Sequence, residues 1–178
     1  KFSYDTRNRL TGITDPQGNN SSLNYDANGN ITSISLPDGE TINYTYDPLN
    51  RLTSMHDING AIANFSYDRN NNITRYTNGA GADITAEYDS LDRLKKITDP
   101  LGNSYLLLYD RNSNITSVTD RNGFTSNYTY DSLDRVKTMT DNNGFTVTRT
   151  YDAAGNIISL KDQNNNITSY VYDNLNRV

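Results

Sequence analysis

Three features of this 178-residue sequence predict an all-β fold of tandem hairpins. A Tyr-Asp dipeptide returns every 21 residues, each interval carries two turn signals, and the runs between turns are β-branched or aromatic. The dipeptides are Tyr4-Asp5, Tyr25-Asp26, Tyr46-Asp47, Tyr67-Asp68, Tyr88-Asp89, Tyr109-Asp110, Tyr130-Asp131, Tyr151-Asp152 and Tyr172-Asp173, with no insertion or deletion across the eight intervals. Residues 1–178 therefore read as one array of eight units and a fraction, and as an excerpt of a longer array, because neither end shows the atypical capping unit that repeat arrays use.

The first element of each unit, counted from Tyr as position 1, is a turn over positions 2–5, as in Asp26-Ala27-Asn28-Gly29 and Asp89-Ser90-Leu91-Asp92. The leading Asp can bond its own backbone two residues on, and Gly or Asn in fourth place tolerates the left-handed conformation of a turn followed by a bulge. A strand follows over about positions 7–11. Its apolar residues stand three apart, as in Leu52 with Met55 and Ile115 with Val118. That spacing puts them on opposite faces unless a bulge intervenes, so a two-sided strand and a bulged strand both remain open. The second turn occupies positions 12–15 and ends on Gly18, Gly39, Gly60, Gly81, Gly102, Gly123, Gly144 and then Asn165. All four prolines (Pro16, Pro37, Pro48, Pro100) fall second in a turn, where their fixed φ fits. The closing strand alternates, placing Ile42, Tyr44 and Tyr46, or Tyr105, Leu107 and Tyr109, on one face. No helical stripe exceeds two turns. About 16 strands at roughly 4.8 Å each would span about 80 Å, and a sheet that wide twists and coils, which predicts a continuous antiparallel sheet wound into a spiral wall.

A two-unit period overlies the 21-residue one. Position 6 alternates Arg9, Asn30, Arg51, Asn72, Arg93, Asn114, Arg135, Asn156 and Arg177. Position 4 carries Leu49, Leu91, Leu133 and Leu175 in the Arg units, with Arg7 the exception. An apolar residue at a turn tip is out of place in water. These leucines are candidates for contact with an adjacent turn of the spiral, or for folding back on their own hairpins.

Composition narrows the function. No Cys is present, which removes disulfides and cysteine zinc sites and suits an exported chain. A net charge of −5 argues against nucleic acid, and no apolar run approaches a membrane span. The only histidine, His56, lies beside a turn Asp with no evident partner to make it a base, and reads as structural. Asp141-Asn142-Asn143-Gly144 has a calcium-loop flavour but lacks the alternating carboxylates and terminal Glu of an EF-hand, so turn geometry accounts for it. Asp47 with Arg51, and Asp131 with Arg135, could pair across one turn, or the Arg could face a neighbouring turn of the spiral. The Tyr positions could stack on sugars, but recurrence in every unit suits wall packing with a hydroxyl that reaches a partner. Asn-x-Ser/Thr triplets recur along the chain, as at Asn20 and Asn114, and follow from composition. No catalytic, cofactor or metal residue is expected.

The pattern Tyr46-Asp47-Pro48-Leu49-Asn50-Arg51-Leu52, with Gly60 eight residues on, resembles the Rhs/YD-repeat family over the whole chain. The resemblance implies a large secreted or surface protein whose repeats spiral into a hollow β-sheet shell. In bacterial polymorphic toxins and insecticidal toxin complexes the shell encloses a toxin domain, and in teneurins it is an extracellular scaffold. The partners implied are neighbouring repeats, adjacent copies of the chain, or an enclosed toxin domain. The aspartate self-cleavage region of bacterial shells has no counterpart here. Three functions follow from this reading: a non-enzymatic shell segment, a filament or tube of the same spiral, and a carbohydrate-binding adhesin.

Overall fold

The computed structural model describes residues 1–178 and contains seventeen β-strands and no helix. It divides into two compact units, Lys1–Ala86 and Glu87–Val178, with the boundary inside one strand. Unit 1 carries β1 (Phe2–Tyr4), β2 (Leu10–Thr14), β3 (Asn20–Tyr25), β4 (Ile31–Ser35), β5 (Thr41–Tyr46), β6 (Leu52–Asp57), β7 (Gly60–Tyr67), β8 (Ile73–Asn78) and most of β9 (Asp83–Tyr88). Unit 2 carries β10 (Leu94–Thr98), β11 (Ser104–Tyr109), β12 (Ile115–Thr119), β13 (Thr125–Tyr130), β14 (Val136–Thr140), β15 (Thr146–Tyr151), β16 (Ile157–Lys161) and β17 (Ile167–Ser169). Within each unit every strand pairs antiparallel with its neighbours in sequence, a meander of hairpins.

A bulge settles the spacing of three. Tyr46 pairs with Leu52, but Thr45 pairs with Ser54, so Thr53 is the extra residue. The same slip follows Tyr25, Tyr67, Tyr109, Tyr130 and Tyr151. Because Tyr44 opposes Met55 and Tyr46 opposes Leu52, the bulge returns Leu52 and Met55 to one face. That face is apolar and aromatic, with Phe65 and Tyr76 rings 5.5 Å apart. The opposite face is lined by hydroxyls that bond across strands, as Thr140 does with Thr146 at 2.9 Å and Thr129 with Thr138 at 2.5 Å. Ala63, 5% exposed, is the one buried apolar residue and no side chain is fully buried, so each unit is a single layer without a central core.

Both turns use one device. Gly18, Gly102 and Gly123 donate N–H to the carbonyls of Asp15, Asp99 and Asp120, and have φ of 90°, 85° and 83°. The fourth residue of the Tyr-Asp turn is left-handed whatever its type, from Asn8 to Asp92 and Ser113. One turn departs from the others. At Asp57–Gly60 the ladder runs to the end of the hairpin, and Asp57 closes on the amides of Asn59 and Gly60. The register then slips between Met55 and His56, leaving Ile62 as the extra residue.

A Cβ added at Gly102 or Gly123 would meet nothing within 4 Å, so its cost is backbone strain alone. We expect Gly102→Val to cost about 1–2 kcal/mol, while Gly102→Asn should cost a few tenths. Asn165 already holds φ of 67° at the equivalent position. Chemical denaturation measures both, and equal losses would reject backbone strain as the cause.

Candidate functional site

The Tyr-Asp turns form one edge of the hairpins, and their side chains join each hairpin to the next. The Tyr hydroxyl crosses to the preceding hairpin, donating to the backbone carbonyl fifteen residues earlier. Tyr25 reaches Leu10, Tyr46 reaches Ile31, Tyr109 reaches Leu94 and Tyr130 reaches Ile115, at 2.7 to 2.9 Å. Tyr67, Tyr151 and Tyr172 do the same with Leu52, Val136 and Ile157. Burial pushes the Tyr46 and Tyr130 hydroxyls above their ordinary pKa, which keeps them protonated as donors. Tyr4 is exposed.

The Asp closes its own turn. Asp47 Oδ1 accepts the amides of Leu49 and Arg51, and Oδ2 accepts Arg51 Nε at 2.7 Å. Asp26 does the same with Asn30, whose amide reaches Oδ2 at 2.8 Å. Arg and Asn at the alternating position thus serve one carboxylate. These donors hold the carboxyls below their ordinary range: first the Arg51 amide for Asp47, the Arg93 side chain for Asp89 and the Asn30 side chain for Asp26. Asp5, Asp68, Asp110, Asp131 and Asp152 are lowered as well.

The alternation has its consequence between hairpins. Each Arg stacks on the Tyr of the next unit: Arg9 on Tyr25, Arg51 on Tyr67, Arg93 on Tyr109 and Arg135 on Tyr151, with the guanidinium carbon 4.4 to 4.6 Å from the ring centre. The same guanidinium donates to the Asp carbonyl of that unit, as Arg51 does to Asp68 at 2.8 Å and Arg93 to Asp110 at 2.9 Å. The Asn units join onward differently. Asn30 and Asn28 both donate to Asn50 Oδ1 at 2.8 Å, and Asn114 and Asn112 to Asp134 at 2.6 and 2.9 Å. A stacked guanidinium joint therefore alternates with an unstacked joint in which two Asn amides share one side-chain oxygen, of Asn50 or Asp134. The Arg faces the next hairpin in sequence, a partner the sequence did not single out.

Leu49, Leu91, Leu133 and Leu175 stand 63–71% exposed at the turn tips. Arg7, the exception among them, donates to the Ala27 carbonyl instead. Gly18, Gly39, Gly60, Gly81, Gly102, Gly123 and Gly144 all lie at positive φ on the opposite turn edge. His56 is half-buried on β6, paired with Asn43 and Ala61. Asp141 accepts the amides of Asn143 and Phe145. No three His, Asp or Glu side chains gather into a group that could hold a metal ion.

The RHS Repeat family model matches residues 25–62, 67–104, 109–146 and 151–178, the same two-unit period that Arg and Asn mark. No curated protein matches the chain. Among solved structures, TcdB2-TccC3 without its hypervariable C-terminal region aligns at 17% identity and a TM-score of 0.67, over 97% of this chain and 12% of that one. TcdB2-TccC3-Cdc42 aligns at 19% identity and 0.63, over 87% and 10%. The Photorhabdus luminescens Tc holotoxin pore aligns at 18% identity and 0.61, over 92% and 10%. At these identities the likeness is one of fold, and this chain spans about a tenth of the length of those it resembles.

Proposed function

The chain belongs to the RHS repeat family, and from that premise we propose that it is a non-enzymatic wall segment of a large secreted or surface protein, enclosing or displaying another domain. The observation that carries this reading is the joined turn edge. Within each unit the polar chemistry of the Tyr-Asp turns goes into tying one hairpin to the next: Tyr hydroxyls on carbonyls, Asp on its own turn, Arg and Asn on the following one. Residues spent this way build a sheet and leave no reacting group poised for a substrate. The solved structures of similar fold are toxin complexes, so an enclosed toxin domain is the partner proposed. The exposed Leu49, Leu91, Leu133 and Leu175 tips then serve as contacts with an adjacent turn of the wall.

A filament or tube is the second reading, favoured by eight identical intervals without an insertion. Identical units with identical neighbour contacts generate a helix that stays open unless its rotation closes it. Electron microscopy of the intact protein separates the two. A closed particle with density inside is the expected result, and a long hollow fibre overturns the shell in favour of the tube.

A further inference from the structure

Strand β11 breaks the polar character of the hydroxyl-lined face. At the two positions before the final Tyr that point to this face, β3, β5, β7, β9, β13 and β15 carry only polar residues, among them Asn127 with Thr129 and Thr148 with Thr150. Strand β11 carries Leu106 and Leu108, 40% and 57% exposed. Its other face holds Leu107 and Tyr109, so the strand is an unbroken apolar run from Tyr105 to Tyr109. A strand with one face in water alternates, whereas a run that is apolar on both faces belongs to a strand covered on both. Two neighbours shape the patch. Ser117, opposite Leu108 on β12, is 8% exposed and is the one buried polar residue. Lys96 stands opposite Leu106 on β10. Beside it Lys95 is exposed, at the place where Thr53 bonds Thr45 on that same face. The result is an uncovered apolar patch with a basic edge.

The chain carries a complement to this patch. In unit 2 the exposed tip leucines Leu91 and Leu133 are each followed by a carboxylate, Asp92 or Asp134. The tip is held rigid by its own turn. Asp131 Oδ1 accepts the Leu133 and Arg135 amides, and the Asp134 amide donates to the Asp131 carbonyl at 3.1 Å. A preorganised knob of this kind loses little freedom on docking. Asp134 Oδ1 takes the Asn112 and Asn114 amides, which leaves Oδ2 for a lysine. A turn at the edge of a single-layer sheet cannot bend onto the face of that same layer, so the tip that covers β11 comes from another copy.

We infer that the Leu106–Leu108 patch on β11 binds the Leu133-Asp134 tip, or its equivalent Leu91-Asp92, of a second copy of this chain, leucine on leucine and carboxylate toward Lys95. The inference rests on the reading of the leucine tips as wall contacts and assigns the surface that receives them. The contact joins two unlike surfaces. Each copy therefore keeps one tip and one patch free, and association continues open-ended rather than stopping at a dimer. One knob on one two-leucine patch is a small interface, and such contacts are weak and reversible.

The chain has no cysteine, so single introduced cysteines report the contact. Under mild oxidation, Leu133→Cys mixed with Leu108→Cys should form a mixed disulfide at least about tenfold faster than Leu101→Cys mixed with Leu108→Cys. Leu101 is the control because it is 86% exposed on the opposite turn edge. Sedimentation velocity of the unaltered chain should show association that grows toward roughly millimolar concentration. Leu106→Asn with Leu108→Thr, the residue types of Asn127 and Thr129 on β13, should weaken it at least about tenfold, and so should Asn at the tip leucines. Lys95→Glu should weaken it about threefold. Circular dichroism establishes that each variant folds, and the disulfide rates decide the matter for any that does not. Association lost with the tips but untouched by the β11 pair keeps the tips as contacts and overturns this receiving surface. Association lost with the β11 pair alone overturns the tip as its occupant. A chain monomeric at millimolar concentration, or a mixed disulfide no faster than the control, overturns the inference outright, while the wall reading still stands or falls by microscopy of the intact protein.

Discussion

Replacing Tyr109 by Ala is expected to destabilise unit 2 by about 2–3 kcal/mol, somewhat below the roughly 3–5 kcal/mol lost with a fully buried aromatic. Three contacts go at once. The ring packs on the apolar face, its hydroxyl donates to the Leu94 carbonyl at 2.8 Å, and Arg93 stacks on it at 4.4 Å. Tyr109→Phe keeps the ring and the stack and loses only the hydrogen bond, so it should cost about 1 kcal/mol. Urea denaturation, followed by circular dichroism, measures both. If Phe costs as much as Ala, the hydroxyl carries the contact and the packing account is wrong. If Ala costs under about 0.5 kcal/mol, as an ordinary surface change would, the Tyr is not what ties the hairpins together.

Acid is expected to unfold the chain cooperatively, with a melting temperature level from about pH 6 to 8 and falling steeply below about pH 4. The turn carboxylates set the sign. Asp15, Asp26, Asp47, Asp89, Asp131, Asp152, Asp162 and Asp173 all have lowered pKa values, because they accept hydrogen bonds from amides and from Asn or Arg side chains. A group lowered in the folded state contributes stability that is present above its unfolded value of about 3.9, and loses it as pH falls through the folded value. Each carboxylate is solvent-accessible, so its own share is small. The effect is large because the same turn recurs along the chain and all copies titrate together. A melting temperature at pH 3 equal to that at pH 7 would show that the charged form of these turns contributes nothing.

The hairpins, both turns and the position of every left-handed residue were legible in the sequence, because each rests on short-range chemistry. Asp leads the turn, Gly or Asn in fourth place takes the positive φ, and Pro fits second; Gly18 through Gly144 and Asn165 all lie where that reasoning puts them. The spacing of Leu52 and Met55 could not be resolved from the sequence. A spacing of three is compatible with two strand geometries, and pairing with Tyr44 and Tyr46 selects the bulge. The alternation of Arg and Asn was equally visible and equally silent. Both residues satisfy the Asp of their own turn, so nothing local distinguishes them. What separates them lies on the next hairpin, a Tyr ring and a carbonyl for Arg93, an acidic or amide oxygen for Asn114. The sequence by itself thus determined an all-β repeat array with its turns placed, since backbone preference acts over four residues. Only the tertiary structure decided which faces are apolar and how one hairpin holds the next, since those contacts span fifteen to twenty-two residues and exist only once the strands have paired.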